Sequence, residues 1–292
     1  VIPRTQKVVD DNVRGVLEDS EGARTVRKWF EGELGGILHA DALGYLLLNL
    51  YGSVVSTTVT GAVTSHAFAM DQSIEHPTLS IFRKDGDVES KVYGGGVVSA
   101  FELSASTEDF VRFAATIMAA NEDDHTETAS YDTEYDFIGK DITVKLATSE
   151  AGLAGATALK LKTLTVRYDP GAIADYVFGS YNPDSIYNAK MGIEISFSKN
   201  YEDTTFEDLF KSDDYRYMQV TIEGDADLGS GNHPTVTWVF NRVQVQEWER
   251  SGDADALVEE AITAKAFFNA TDGEQSTVTL KNLTAAYAAE ES

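Results

Sequence analysis

The chain has 292 residues, 42% hydrophobic and 24% charged, enough to bury one large core or two ordinary ones. It holds no cysteine, which excludes disulfides, thiolate metal sites, thiol nucleophiles and iron–sulfur clusters. Forty-eight acidic against 23 basic residues give a formal charge of −25, which repels nucleic acid and anionic membranes at long range and argues against tight phosphate binding; solubility or life at high salt would favour the same excess.

The opening stretch VIPRTQKVVDD has no apolar h-region, and Arg4 to Thr25 reads as a hydrophilic arm. The longest apolar run, Ala42 to Gly52, is about half of the roughly 20 residues that a membrane span needs. No export signal and no membrane partner are expected. HADALGYLLLNLYG predicts a helix, with Asp41 as cap and Leu43, Leu46, Leu47 and Leu50 on one face. EHPTLSIF then enters a strand through His76-Pro77-Thr78.

From Val97 onward alternation dominates. Val97 to Ser106, Asp109 to Ala119, Asp141 to Ala147, Leu159 to Tyr168, Met191 to Ser198 and Tyr217 to Gly224 all read as strands by period and β-branched content. So do Thr235 to Trp248, Glu259 to Ala270 and Ser276 to Tyr287. A second short helix is predicted over DTTFEDLFKSDD, capped by Thr204 or Thr205. His233-Pro234-Thr235 repeats the earlier His-Pro-Thr 157 positions on. Helix, strand and long-hairpin signals recur in similar order around both runs. The chain therefore reads as two diverged copies of one β module, residues 1–155 with the arm and residues 156–292, joined near the small-residue stretch EAGLAGATA.

No recognisable catalytic constellation stands in the sequence. His39, His66, His76, His125 and His233 stand in no metal-ligating spacing, and a proline after His76 and His233 suits an extended strand entry. YGGGVV at Tyr93 to Val98 precedes a strand rather than a helix, so a bulge or close backbone approach explains it better than a phosphate loop. The acidic runs at Asn121 to Glu127, Asp213-Asp214 and Asp225 to Asp227 lack the calcium-loop ladder. No serine nucleophile motif exists, and the sequons at Asn269 and Asn282 carry little weight. No catalytic residue, cofactor or metal is expected.

The order of segments resembles the tail tube (major tail) proteins of long-tailed bacteriophages and archaeal tailed viruses. The resemblance rests on GELGGILHADALGYLLLNLYGSV, HAFAMDQSIEHPTLSIFRKDG, YGGGVVSAFELSASTEDFVRFAATIMA and AKAFFNATDGEQSTVTLKNLTAAY. It implies a mainly β fold, a tail-tube-type β-sandwich or split barrel with short flanking helices and two tandem tube modules. It further implies a virion structural protein of the tail whose partners are copies of itself. These form a homotrimeric pseudo-hexameric ring or a homohexamer, stacked with tail terminator and baseplate proteins and crossed non-specifically by viral DNA.

A lumen needs a polar strand face. Glu102, Ser104, Ser106, Arg112 and Thr116 in the first half, and Arg242, Gln244, Gln246, Thr263 and Lys265 in the second, alternate with apolar residues and are the candidates for it. Two alternatives compete: another tail ring protein such as a baseplate hub or terminator, and an extracellular carbohydrate-binding β-sandwich using Trp238 and Trp248.

Overall fold

The computed structural model describes residues 1–10, 22–126, 133–252 and 257–287. Strands β1 (Ile2–Val9) and β2 (Ala23–Ile37) precede helix α1 (Ala40–Tyr51). After it come β3 (Gly52–Thr60), β4 (Val63–Met70), β5 (Leu79–Asp85), β6 (Glu89–Ser106), β7 (Arg112–Ala119) and β8 (Asn121–Asp124). The middle of the chain forms β9 (Ile142–Ala147), β10 (Ala158–Leu159), β11 (Leu161–Asp169), β12 (Ile173–Asp175), β13 (Ser185–Tyr187) and β14 (Gly192–Asn200). Helix α2 (Thr205–Ser212) leads into β15 (Arg216–Glu223), β16 (Thr235–Ser251), β17 (Glu259–Ala266) and β18 (Ser276–Asn282). The fold is mainly β with two short α-helices, as the alternation predicts, and its layers are those of a β-sandwich.

All the pairings are antiparallel, and the order β1-β2-β7-β6-β11-β14-β17-β16-β15-β9-β10 runs through both halves of the sequence. Two long strands change partners midway. β6 pairs with β5 and β8 up to Gly96, then with β7 and β11; β16 pairs with β15 and β18 at its start, then with β17. Each therefore passes from one layer of the sandwich to the other. β9, ahead of the expected boundary at 155/156, pairs with β15 beyond it.

One apolar core fills the space between the layers. It joins Phe101, Leu103, Val166, Ile195 and Ile262 from the long sheet to Val220, Ile222 and Trp238 opposite, with α1 packed among them. Leu43, Leu46, Leu47 and Leu50 are all buried, each burial stabilising by roughly 1.5–3 kcal/mol. Asp41 lies in the first turn of α1, with His39 at the N-cap position. At α2 the N-cap is Thr204, whose hydroxyl donates to Asp208 (2.8 Å), while Asp203 accepts the Thr205 N–H (2.9 Å). Gly44 is required by contact: a Cβ there would lie 2.1 Å from the Tyr287 ring. Gly52 ends the helix at φ +84°, its N–H donating to the Leu48 carbonyl.

The His-Pro-Thr runs are both structural, but they are not counterparts. The His76 ring sits within 3.0 Å of the Asn49 carbonyl and 3.2 Å of the Asp71 carbonyl, tying the end of α1 to the loop. Asn49 reciprocates, donating to the Pro77 carbonyl (2.7 Å) and accepting from the Val98 N–H (2.7 Å). His233 reaches the Ala226 carbonyl at 2.9 Å. The first run enters β5, whereas the second enters β16, the counterpart by pairing of β6. In YGGGVV the register with β5 slips, Gly95 takes φ +63°, and a Cβ on Gly96 would lie 2.8 Å from the Leu79 carbonyl, which is the expected bulge. Asn269 and Asn282 are buried, and both amides donate within the fold.

Candidate functional site

Seven neighbouring strands, β2-β7-β6-β11-β14-β17-β16, carry the core on one face and polar side chains on the other. Because directly opposed residues in antiparallel strands share a face, the ladder registers identify rows of neighbours across the polar face. One row runs Ala114, Glu102, Arg167, Glu194, Lys265, Gln244 from β7 to β16. The next runs Arg112, Ser104, Thr165, Ser196, Thr263, Glu247, and a third runs Ser106, Thr163, Ser198, Ala261, Glu249.

The rows differ in chemistry. In the first, Arg167 donates to Glu102 at 2.6 and 3.1 Å and stands between Glu102 and Glu194, so opposite charges meet along the row. The other two are largely hydroxyls, with Thr163 and Ser198 oxygens 2.7 Å apart and Ser196 and Thr263 3.4 Å apart. Arg112 is held at the rim by Asp109 (3.0 and 3.3 Å), whose carboxyl is kept below the usual range by that guanidinium and by the Phe110 N–H. Glu33, Glu102, Glu194, Glu247 and Glu249 outnumber Arg112, Arg167 and Lys265 on this face, leaving it acidic.

Of the residues singled out by alternation, Glu102, Ser104, Ser106, Arg112, Thr116, Gln244, Thr263 and Lys265 stand together on this face. Gln246 does not continue the row, because β16 bulges between Val245 and Glu247, and Glu247 and Glu249 take the polar positions instead. Arg242 lies where the β15 pairing is also irregular, its guanidinium 4.8 Å from the Tyr215 ring centre. Arg242 nevertheless keeps the parity of Gln244, its carbonyl accepting the Phe267 N–H (2.8 Å) as the ladder with β17 continues; alternation misses only Gln246, because a bulge inverts the parity of everything beyond it. Thr163, Thr165, Arg167, Glu194, Ser196 and Ser198 were legible in LKTLTVRY and GIEISFS as the polar half of the alternation, but only the pairing of β11 and β14 brings them onto this surface.

The other acidic stretches are tied up locally. Asp225 pairs with Lys140, Asp227 accepts the Gly229 N–H (2.8 Å), and Lys91 holds Asp124 (2.7 Å) and Glu122 (3.5 Å). Among the described residues no three His, Asp or Glu side chains converge as a metal-binding set. Trp238, a surface residue in the carbohydrate-binding alternative, is 2% exposed in the core.

A face of hydroxyls and alternating charges on a long antiparallel sheet is what a wall needs, and the comparison with known families agrees. The sequence pattern described as "Phage tail tube protein" matches residues 1–287. The chain belongs to the phage tail tube protein family. Membership gives it a structural role in the tail tube and places it in the virion tail. No curated protein matches it. No helix among the described residues is long and apolar enough to cross a membrane.

Proposed function

We propose that three copies of this chain close into a ring, that rings stack into the tube, and that the polar face of the long sheet lines the lumen through which viral DNA passes. The observation carrying this is a repeated strand order: β1-β2-β7-β6 is followed in the same sheet by β11-β14-β17-β16. In each set a strand preceding a helix (β2, β14) lies between an outer strand and the second strand of a long hairpin. Two tube modules per chain are thus joined side by side through β6 and β11, and three such chains give a ring of pseudo-sixfold symmetry. Closure also removes the open sheet edges, which on a lone chain would template aggregation.

The lumen acts as a passive conduit. An acidic wall repels the phosphate backbone, and its arginines stand against carboxylates, Arg112 at Asp109 and Arg167 at Glu102. Substituting Glu33 and Glu194 with lysine should leave tubes intact and slow DNA release from particles; unchanged release would contradict the low-friction wall. The arm of the first half is the hairpin of β1 with the start of β2, Ala23 to Trp29, which extends past the end of β7; its connecting residues 11–21 lie outside the described residues. Deleting the hairpin beyond Gln6 should leave rings that fail to stack.

Electron microscopy of the purified protein tests the whole reading: stacked rings or tubes support it, and a monomer at all concentrations and salt conditions overturns it.

A further inference from the structure

The ring reading leaves open which strands meet between copies, and the chain carries its own template for that seam. The β6/β7 and β16/β17 hairpins correspond residue for residue. Both bulge one step before the straight ladder, between Val98 and Ala100 and between Val245 and Glu247. Beyond the bulge every pair recurs 147 positions on: Ala100 with Thr116 becomes Glu247 with Thr263, and Ser104 with Arg112 becomes Ser251 with Glu259. β2 lies on β7 as β14 lies on β17, with Glu33 opposite Thr116 and Ser196 opposite Thr263. Trp29 is thereby the counterpart of Gly192, and their partners, Arg4 in β1 and Asp169 in β11, correspond in turn.

The two hairpins differ in what covers their far side. On β6, Phe101 to Ser106 pair with Tyr168 to Thr163 of β11. On β16 the ladder with β15 stops at Val243 and that with β18 at Phe240, so among the described residues Glu247 to Ser251 pair only with β17. Glu247, Glu249 and Arg250 are exposed there and Trp248 half-buried. At the opposite end of the sheet β1 is likewise paired on one side only among the described residues, and all of it is exposed.

We propose that these two edges meet between neighbouring copies as an antiparallel seam repeating the β6–β11 register, with Val1, Ile2 and Pro3 of one copy opposite Arg250, Glu249 and Trp248 of the next. The seam rests on the ring reading but adds its strands, direction and register. Its chemistry is complementary. Tyr168 covers Phe101 inside the chain, with ring centres 6.0 Å apart, and Pro3 with its neighbour Phe30 would cover the exposed part of Trp248 in the same way. One step toward the bulge, Arg4 comes opposite Glu247. Arg4 already donates to Glu31 (3.3 Å), so the guanidinium would bridge two carboxylates across the seam.

The absence of native cysteine makes the test clean. In one chain Ile2 and Glu249 lie at opposite ends of the sheet, so a disulfide in the double variant I2C/E249C can form only between copies. Directly opposed Cβ atoms about 4.5–5.5 Å apart suit a disulfide, whereas the diagonal pair I2C/S251C, at about 7–8 Å, does not. Assembled protein oxidised with a mild disulfide catalyst should give a covalent ladder ending at the closed ring for I2C/E249C, with several-fold less for I2C/S251C. Tubes that form normally while the shifted pair links as well, or neither pair links, would overturn the seam and leave the ring reading standing. Unsubstituted protein that forms no rings under the microscope would overturn both.

Discussion

The corresponding hairpins solve the same packing problem with opposite chemistry. In the first, Phe101 and Phe113 stack on the core face, ring centres 6.4 Å apart at 24°. Their counterparts in the second are Trp248 and Glu260. Glu260 is fully buried, accepts the Trp248 indole N–H (2.8 Å) and pairs with Lys199 (3.0 Å), itself 5% exposed. Lys199 occupies the place of Gly36 in the first set. Backbone register, bulge included, is the same in both hairpins, while an aromatic pair stands in one and a buried ion pair in the other. Register is thus the constrained quantity, because one slip would turn the whole core face outward, whereas any well-packed or fully paired set of side chains can fill the space.

The comparison breaks most sharply at that pair. Glu260→Ala or Lys199→Ala should each lose about 3–5 kcal/mol, because one partner is left buried and uncompensated. Replacing both, as Lys199→Met with Glu260→Phe, should lose far less than either alone. Phe101→Ala should lose about 3–5 kcal/mol through a cavity, with no such rescue. Urea unfolding of the four variants reads this directly, and additive losses in the double variant would show that Lys199 and Glu260 do not act as a pair.

Alkaline pH should strike the surroundings of α1, where Tyr51 meets Tyr168 and Tyr287 meets the Asp41 carbonyl. Burial pushes Tyr51 and Tyr287 up to about 12, and Tyr168 well above its ordinary range; Tyr51 contacts Ser276 (2.8 Å) and Tyr168 (3.1 Å). Since the unfolded chain releases the Tyr51 and Tyr287 protons near pH 10 and the folded one near 12, the stability that these two contribute is intact below 10 and falls between 10 and 12. The fall is about 2–3 kcal/mol for each such tyrosine. Tyr51→Phe should flatten the slope of unfolding free energy against pH in that window; an unchanged slope would contradict the assignment.

Smaller effects follow. Gly44→Ala forces a methyl into the Tyr287 ring and should cost about 1–3 kcal/mol by thermal unfolding. Arg167→Ala removes a solvent-exposed pair with Glu102 and should change stability by about 0–1 kcal/mol. A large loss there would mean that the polar face is holding the fold together as well as lining it.

Much of this was legible beforehand. The strands from Val97 onward, both helices and the buried leucines of α1 follow from periodicity, because burial on one side dictates it. β1 and the start of β2 escaped, since a two-stranded hairpin exposed on both faces imposes no alternation and reads as a polar arm. Gln246 was misplaced for a different reason: a bulge is a backbone event that QVQEW does not announce. His-Pro-Thr pointed to a repeat at a spacing of 157, while the hairpins correspond at 147, so a local turn signal had been aligned where long-range pairing decides.

Whether the chain holds two equivalent strand sets is read most directly from an averaged end-on view of assembled tubes. Three copies per ring, each contributing two adjacent and nearly superposable wall segments, is the predicted result. Six copies per ring, each contributing one wall segment, would contradict it.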